Sequence, residues 1–340
     1  MGSRVFSKFQ FGKETDRGTA VAADTVLIAA PMALPVDRKW AKVTGATGLR
    51  AQVLDKHVDE YLVRDTLRFD ADHPLYYQAL PLLFSCGLQG GLTVAEQTAG
   101  QSDYLWTFAP ALTSASANVP DTVTLEMGDD TQAFEMEYLM FERLRISGQI
   151  SQDGDASAVT CEADFFARQI STTTWTASLA LPSYEVINSK LARFYIDTAW
   201  AGLGGTEKSG LLRSFDLEIL FGTHPKFGGS ANKYFDTHGE GAISWMLQCT
   251  LEGDANADAI YDAMVAGTYQ AVRIGIQGTK IGSTKYQLLQ IDLGGTWDEV
   301  VPLGGEANGN NLHTAVMSDE YNATSAKIIE VAVSTNVAAL

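Results

Sequence analysis

The sequence predicts a mainly β, largely antiparallel protein that contains two copies of one domain. In most candidate strands, apolar side chains alternate with polar ones, which is typical of strands with one buried face. A strand, a short helix and a second strand occur twice, at a nearly constant separation. We therefore expect residues 1–25 to form an N-terminal arm, residues 26–180 a first domain and residues 181–340 a second domain.

The clearer of the two units lies in the second half. Residues 243–252 alternate between apolar and polar side chains and predict a half-buried strand. Asp254 follows directly and is placed to accept backbone N–H groups as the N-cap of a helix. Gly267 fits the left-handed position that ends such a helix, and residues 272–277 alternate again. The chain is therefore expected to return to the sheet after the helix.

The same unit appears earlier in the chain. Residues 63–69 predict its first strand, and residues 104–108 predict the strand after its helix. Asp72 or His73 is expected to cap that helix, and Pro81 is expected to kink it.

Three pairs of landmarks have matching separations along the chain. The separations are 182, 182 and 180 residues, for Phe69 and Leu251, Asp72 and Asp254, and Gly87 and Gly267. A constant offset over a strand, a cap and a helix end favours duplication of one domain.

Other strands and loops follow from the same alternation. The Ser- and Thr-rich stretch 169–183 is the candidate domain boundary, and residues 221–240 and 303–311 read as long loops. Further strands are expected near residues 25–28, 49–54, 123–127, 134–138, 144–146, 159–167, 194–196, 215–219, 286–293 and 329–333.

The first 25 residues show no clear periodicity. Phe6, Phe9 and Phe11 are spaced along a segment of small residues, and the first twenty residues carry a net charge of +2. A basic segment with unpacked aromatic side chains, on an acidic protein, is expected to be an arm that packs on a neighbouring copy, and the alternative is a frayed terminus.

The net charge of −17 argues against a nucleic-acid-binding protein, which neutralises phosphates with Lys and Arg. The acids concentrate in residues 121–165, which contain eleven acidic residues and only two arginines. The chain has no apolar run long enough to span a bilayer and no secretory signal pattern. Cys86, Cys161 and Cys249 lie far apart in apolar patterns and are expected to be buried free thiols.

The sequence predicts no catalytic, cofactor-binding or metal-ligating residues. The stretch 202–209 resembles a phosphate-binding loop, but Glu207 occupies a position that needs glycine. Asp254, Asn256 and Asp258 imitate the start of a calcium loop without its later ligands, so helix capping explains them better. Asp153-Gly-Asp155 is expected to form a hairpin turn.

Two stretches resemble the tail tube, or major tail, proteins of long-tailed bacteriophages. Residues 11–23, Phe-Gly-Lys-Glu-Thr-Asp-Arg-Gly-Thr-Ala-Val-Ala-Ala, are similar to the N-terminal segment of that family. The stretch from Phe215 through Asn232–Tyr234 to Ile260–Thr268 is similar to the later half of those proteins. The strings that carry the resemblance are short, and none of them is catalytic.

The resemblance implies two tandem β-sandwich or barrel domains of the tail-tube type, each with one flanking α-helix. Copies of such a protein join edge to edge into rings, and stacked rings form the hollow tube through which DNA leaves the capsid. Two domains in each chain imply a ring of three chains with pseudo-six-fold symmetry, and a single domain would need six chains. The implied partners are other copies of the chain, a tail terminator and tail-tip or tape-measure proteins, with genomic DNA passing through unbound.

The resemblance thus implies a structural virion protein, located in the tail and assembled in the host cytoplasm, that needs no cofactor and no membrane. The alternative from a different class is a β-sandwich that binds carbohydrate or another ligand, or a hydrolase. Aromatic side chains between Phe227 and Phe235 are the candidate platform for such a ligand.

Overall fold

The computed structural model describes residues 4–150, 157–307 and 309–340. Half of the chain is in β-strands, and every strand pairing in the described residues is antiparallel. The prediction of a mainly β protein is therefore confirmed. The strands are β1 Lys8–Lys13, β2 Thr25–Leu27, β3 Arg38–Thr44, β4 Val53–Tyr61, β5 Val63–Phe69, β6 Tyr104–Phe108, β7 Val123–Gly128, β8 Ala133–Gln149, β9 Thr160–Ala167, β10 Ile170–Thr173, β11 Ala192–Asp197, β12 Leu212–Leu220, β13 Thr223–Lys226, β14 Thr237–Glu240, β15 Ser244–Glu252, β16 Gln270–Ile281, β17 Lys285–Ala307, β18 Asn310–Asp319 and β19 Ile329–Thr335.

The helix of the second unit, α2 Ala255–Val265, forms as the sequence predicts. The Asp254 side chain accepts the backbone N–H groups of Asn256 and Ala257, which satisfies donors that have no partner inside the helix. At the other end Gly267 has a φ of +59°, and its N–H binds the carbonyl of Met264. This geometry ends the helix and turns the chain into β16.

The first helix, α1 Leu80–Ser85, is shorter than predicted, and the predicted cap is wrong. Leu75 and Tyr77 donate their N–H groups to carbonyls of distant segments, so the chain stays extended where the helix was expected to begin. Asp72 and His73 instead donate their backbone N–H groups to Asp70. Pro81 causes no kink because it occupies the first turn of the helix, where its missing N–H costs no hydrogen bond.

The expectation of a loose N-terminal arm is wrong for residues 8–13. These residues form β1, which pairs with β2 on one side and β7 on the other. Phe9 and Phe11 are buried in the common core, and Lys13 forms an ion pair with Asp121 of its own chain. Of the three phenylalanines, Phe6 alone is exposed. The segment therefore packs on its own chain and not on a neighbouring copy.

The two halves repeat one order of strand pairing, and beyond this shared order the first half has β2 and β6 and the second half has β12. Neighbouring strands pair in the order β1–β7–β8–β9–β5 in the first half and in the order β11–β16–β17–β18–β15 in the second. β10 adds to β8 as β19 adds to β17. A separate hairpin precedes each unit, β3–β4 in the first half and β13–β14 in the second.

The strand β6 corrects one detail of the sequence comparison. The strand of the first half that is equivalent to β16 is β7, whereas β6 pairs with β19 of the second half. The separation of equivalent strands accordingly falls from 181 residues between the starts of β5 and β15 (244 − 63) to 147 between those of β7 and β16 (270 − 123).

The two halves share one large sheet and one hydrophobic core. β12 of the second half pairs with β8 of the first, from Ser214 opposite Gln149 to Leu220 opposite Arg143. Buried side chains of both halves, including Phe69, Phe165, Leu217 and Ile274, belong to the same cluster. The three cysteines are buried and free, as predicted.

Candidate functional site

Seven neighbouring strands, in the order β5–β9–β8–β12–β15–β18–β17, present one apolar face and one polar face. In β12, Phe215, Leu217 and Ile219 are buried in the core, whereas Asp216 and Glu218 lie on the opposite face. The same alternation holds in β9 and β15. We call the outer side of these strands the polar face.

Arg145 and Asp216 form the most complete ion pair of the polar face. Arg145 Nε lies 2.8 and 3.1 Å from the two carboxylate oxygens of Asp216, and Nη2 donates to one of them as well. Ser147 Oγ donates to the same carboxylate over 3.1 Å. These hydrogen bonds, with that from Arg145 as the largest contribution, lower the pKa of Asp216 against the raising effect of its partial burial.

Arg143 lies between two acids from neighbouring strands. Its Nε is 2.6 Å from Asp164 Oδ2, and its Nη1 is 3.2 Å from Glu218 Oε2. Thr66 Oγ1 donates to the other oxygen of Asp164 over 2.6 Å. Partial burial raises the pKa of Asp164, but the hydrogen bonds from Arg143 and Thr66 outweigh it, so the pKa lies below its ordinary value.

Three further arginine–carboxylate pairs complete the row across the polar face. They are Arg64 with Glu142 at 2.8 Å, Arg68 with Glu162 at 3.4 Å and Arg213 with Glu252 at 2.6 Å. The last two join neighbouring strands, whereas Arg64 of β5 reaches past β9 to Glu142 of β8. We call these five arginines and their six carboxylate partners the arginine row.

One end of the seven-strand sheet is the C-terminal part of β17. Beyond Gly295, β18 is the one strand that pairs with β17 in the described part of the chain. On the other side the Val300 N–H contacts Met264 Sδ, and Val301 and Leu303 are exposed. Pro302 lacks an N–H and is tolerated on an edge strand. We call residues 298–307 the β17 edge.

The opposite end is an irregular extended segment, residues 28–37, that lies beside β5. The Ala30 N–H binds the Arg68 carbonyl and the Leu62 N–H binds the Asp37 carbonyl, which is an antiparallel spacing. Two prolines, Pro31 and Pro35, prevent a regular ladder between these contacts. Leu34 and Val36 are exposed on the segment. We call residues 28–37 the β5 flank.

The segment that resembles the family's N-terminus, residues 11–23, is held by buried carboxylates. Glu14 accepts hydrogen bonds from Thr122 Oγ1 at 2.7 Å, Thr124 Oγ1 at 3.0 Å, the Gly18 N–H at 2.7 Å and the Tyr138 N–H at 2.7 Å. Glu126 likewise receives several donors, which are Gln10 Nε2, the Ala23 N–H and both donors of Thr176. Buried carboxylates with this many donors fix the segment on β7 and β8.

A second, small apolar cluster fastens the β13–β14 loop to the first half. Tyr138 lies in the bend of β8 with a φ of +59°, and its ring packs edge-on against Phe235. The Arg168 guanidinium lies over Tyr138 and Phe235 and donates to the carbonyls of Phe235, Asp236 and Gly18. Phe235 is fully buried here, so it cannot form the ligand platform that the alternative function needs.

His238 makes this cluster sensitive to pH. Burial lowers the pKa of His238 to about 4, with smaller contributions from the positive charges of Arg17, His224 and Lys226. The unfolded chain therefore takes up a proton below its ordinary pKa of 6.5, whereas the folded chain does not until about pH 4. Stability is expected to be complete above pH 6.5 and to fall by up to ~3 kcal/mol as the pH drops to 4.

Denaturant unfolding at pH 7 and pH 5 tests this expectation. The loss between the two pH values should be smaller in His238→Gln than in the unchanged protein. The matched control is His57→Gln, at an exposed histidine of β4, which should leave the loss unaltered. Equal losses in all three proteins would contradict the role of His238.

The sequence motifs that were weighed as sites have ordinary structural roles. Within the glycine-rich stretch 202–209, the Lys208 N–H binds the Phe194 carbonyl, and the stretch is followed by β12. It therefore does not lead into a helix whose N-terminus could bind a phosphate. Asp254 and Asn256 belong to the cap of α2. Asp153 and Asp155 lie outside the described residues.

The acids of residues 121–165 do not form one cluster. Asp121 pairs with Lys13, Glu126 is buried, and Glu142, Glu162 and Asp164 belong to the arginine row. Sequence reasoning did not find this row. Its one local signal is the recurrence of arginine and acid at outward positions of β5, β8, β9 and β12.

Comparisons with known proteins give no family for this chain: no protein-family model matches it, and no curated protein does. In residues 4–150, 157–307 and 309–340, no group of three or more His, Cys, Asp and Glu side chains is arranged to hold a metal ion. Neither of the two helices described here is long and apolar enough to cross a membrane. The candidate site is therefore the polar face with its two open ends.

Proposed function

We propose that the protein is a structural subunit of a phage-type tail tube and that copies of it assemble edge to edge into stacked rings. Two tandem domains of the tail-tube type make up each chain, and neither is an enzyme. The repeated order of strand pairing supports the tandem arrangement, because one folding pattern used twice is what duplication produces. The partners are other copies, tail terminator and tape-measure proteins, and the site of action is the virion tail.

One observation carries the proposal. A strand edge that is paired within the chain in the first half has an equivalent in the second half that no strand pairs with in the described residues. In the first half, the edge of β8 at residues 143–149 is covered by β12 of the second half. In the second half the equivalent edge is the β17 edge, which no strand covers in the described residues. The equivalent of β12 is the β5 flank, which lies beside β5 as β12 lies beside β15. A second copy therefore supplies the missing strand.

The internal junction also sets the register between copies. Glu218 lies opposite Arg145 in the junction of β12 and β8. Transferred through the repeat, this pair becomes Leu34 of one copy opposite Val301 of the next. Both side chains are 39% exposed in the single chain, and contact between them removes apolar surface from water.

Charge supports the same contact. The β17 edge carries Asp298, Glu299 and Glu306. The hairpin that follows the β5 flank begins with Arg38 and Lys39 and continues to Lys42. An acidic edge on one copy and a basic segment on the next favour association in one orientation.

Closure of the ring puts the polar face on the inside. When the ends of the seven-strand sheet join, the sheet continues from copy to copy, and three chains with two domains each make a ring of pseudo-six-fold symmetry. The apolar face is already covered by the chain's own core, so the polar face is left to line the channel that DNA traverses. A channel lined by paired charges offers DNA no specific binding site.

Negative-stain electron microscopy of the purified protein tests the proposal. We expect rings or tubes with three chains in each ring. Val301→Arg should abolish them, because a charged side chain replaces the apolar contact at the β17 edge. Leu105→Arg, on β6 and as exposed as Val301, is the matched control and should assemble normally. A protein that stays monomeric under all solution conditions would overturn the proposal.

A further inference from the structure

The arginine row contains every arginine of the outward positions in the seven strands, and each has a carboxylate partner. The arginines are Arg64, Arg68, Arg143, Arg145 and Arg213, and their acids are Glu142, Glu162, Asp164, Asp216, Glu218 and Glu252. The seven strands carry no lysine from β5 to the β17 edge, apart from Lys285 at the far end of β17. The row sums to one negative charge, although the whole chain carries −17.

This near-neutral balance affects how the arginine row interacts with a polyanion such as DNA. A strongly negative surface repels DNA through its field, but the arginine row, with a net charge near zero, adds little to such a field. Its arginines are also not hidden from solvent, since the side chain of Arg145 is 45% exposed and that of Arg68 is 55% exposed. Exposed guanidinium groups are the side chains best suited to bind phosphate with two parallel hydrogen bonds.

We propose that Asp164 and Asp216 mask Arg143 and Arg145 from phosphate, so that a nucleic acid moves along the polar face without being captured. Asp216 occupies Nε and Nη2 of Arg145, which form one of the two donor pairs through which a guanidinium binds a phosphate with two parallel hydrogen bonds. Asp164 and Glu218 occupy two sides of Arg143 in the same way. The acids of the row therefore act on the passing ligand and do not only join strands.

The role of this masking rests on the proposed function, because it matters only if the polar face lines a channel for DNA. The masking itself is a property of the single chain and can be measured without assembly. Asp164 and Asp216 are partly buried, but Asn has nearly the same volume and keeps one oxygen that accepts hydrogen bonds, so the fold is expected to stay intact.

The test is the double variant Asp164→Asn/Asp216→Asn, which keeps the side-chain volumes and removes two negative charges beside two arginines. The control variant Asp55→Asn/Asp262→Asn removes two exposed acids, on the separate β3–β4 hairpin and on α2, and has the same net charge. Binding of a fluorescent DNA duplex to the unassembled full chain is measured by anisotropy at ~50 mM and ~200 mM salt. Thermal unfolding of each protein checks that it is folded.

We expect the double variant to bind DNA at least ~10-fold more tightly than the control at low salt and to lose most of this binding at high salt. Adding Arg143→Gln and Arg145→Gln to the double variant should abolish the gain. Glu162→Gln, which frees Arg68 at an exposed pair, should give a smaller gain and covers the case in which the double variant does not fold.

Equal DNA binding by the double variant and its control would overturn the masking role, since overall charge would then explain the result. Folded variants that bind no DNA would overturn it as well. Failure of the unchanged protein to form tubes would instead overturn the proposed function and leave the masking measurement valid.

Discussion

Cysteines in place of both Leu34 and Val301 are expected to produce a covalent ladder of chains that ends at three. The internal junction of β12 and β8, transferred through the repeat, puts these residues on opposite strands of neighbouring copies. Directly opposite residues on paired strands have Cβ atoms about 5 Å apart, within reach of a short bismaleimide cross-linker. The native cysteines do not interfere, because Cys86, Cys161 and Cys249 are buried.

The position of the last band decides the number of chains in a ring. A closed ring of three chains yields dimers and trimers in denaturing gels, because the third link closes the circle. A ladder of bands that continues up to six chains would show that the ring contains six chains and not three. No cross-linking in preparations that contain visible tubes would show that the register is wrong.

Two control proteins make the result specific. Leu34→Cys alone should give no ladder, because its native partner position has no thiol. Leu34→Cys with Leu105→Cys has the same number of exposed thiols, but Leu105 lies on β6, which pairs with β19 and belongs to neither end of the seven-strand sheet. A ladder from this second control would indicate random collisions between chains.

Replacement of Glu14 by Gln is expected to lower the free energy of unfolding by ~2–4 kcal/mol. The carboxylate accepts four hydrogen bonds while 5% exposed, and the amide nitrogen of Gln cannot accept any of them. Two of the donors are the N–H groups of Gly18 and Tyr138, whose φ values are +74° and +59°. Gly18 and Tyr138 bind different oxygens of Glu14, and Gln keeps one oxygen, so Glu14→Gln removes the bond to one of these two left-handed residues and places an amide donor against its N–H.

Guanidinium unfolding of the unassembled chain measures this effect. Glu320→Gln makes the same chemical change at an exposed acid near the C-terminus and is expected to shift stability by less than ~0.5 kcal/mol. Equal stability of Glu14→Gln and the unchanged protein would show that the buried carboxylate does not hold residues 14–18 on the sheet.

Much of the local structure was predictable because its signals are local. The alternation in residues 243–252 fixed β15, and Asp254 and Gly267 fixed the ends of α2. The hairpin β3–β4 was mostly missed, because its side chains are exposed along nearly the whole of both strands and show no alternation. The predicted loop 303–311 was wrong in part, since residues 303–307 continue β17 opposite β18.

The candidate site was less accessible from the sequence. Arg145 and Asp216 are 71 residues apart, and no local pattern indicates that β8 and β12 are neighbours. The acidic stretch 121–165 looked like a single patch for the same reason. Its members separate because consecutive residues of a strand point to opposite faces and consecutive strands pair with different neighbours.

The sequence by itself determined that this protein is mainly β, that α2 lies between β15 and β16, and that its thiols are buried. Only the tertiary structure decided that β1 belongs to the sheet, that β7 and not β6 matches β16, and that no described strand pairs with the outer side of the β17 edge. The physical reason is the range of the interactions. Side-chain alternation and helix caps act within a few residues, whereas strand pairing joins segments far apart in the chain and is set by the packing of the whole core.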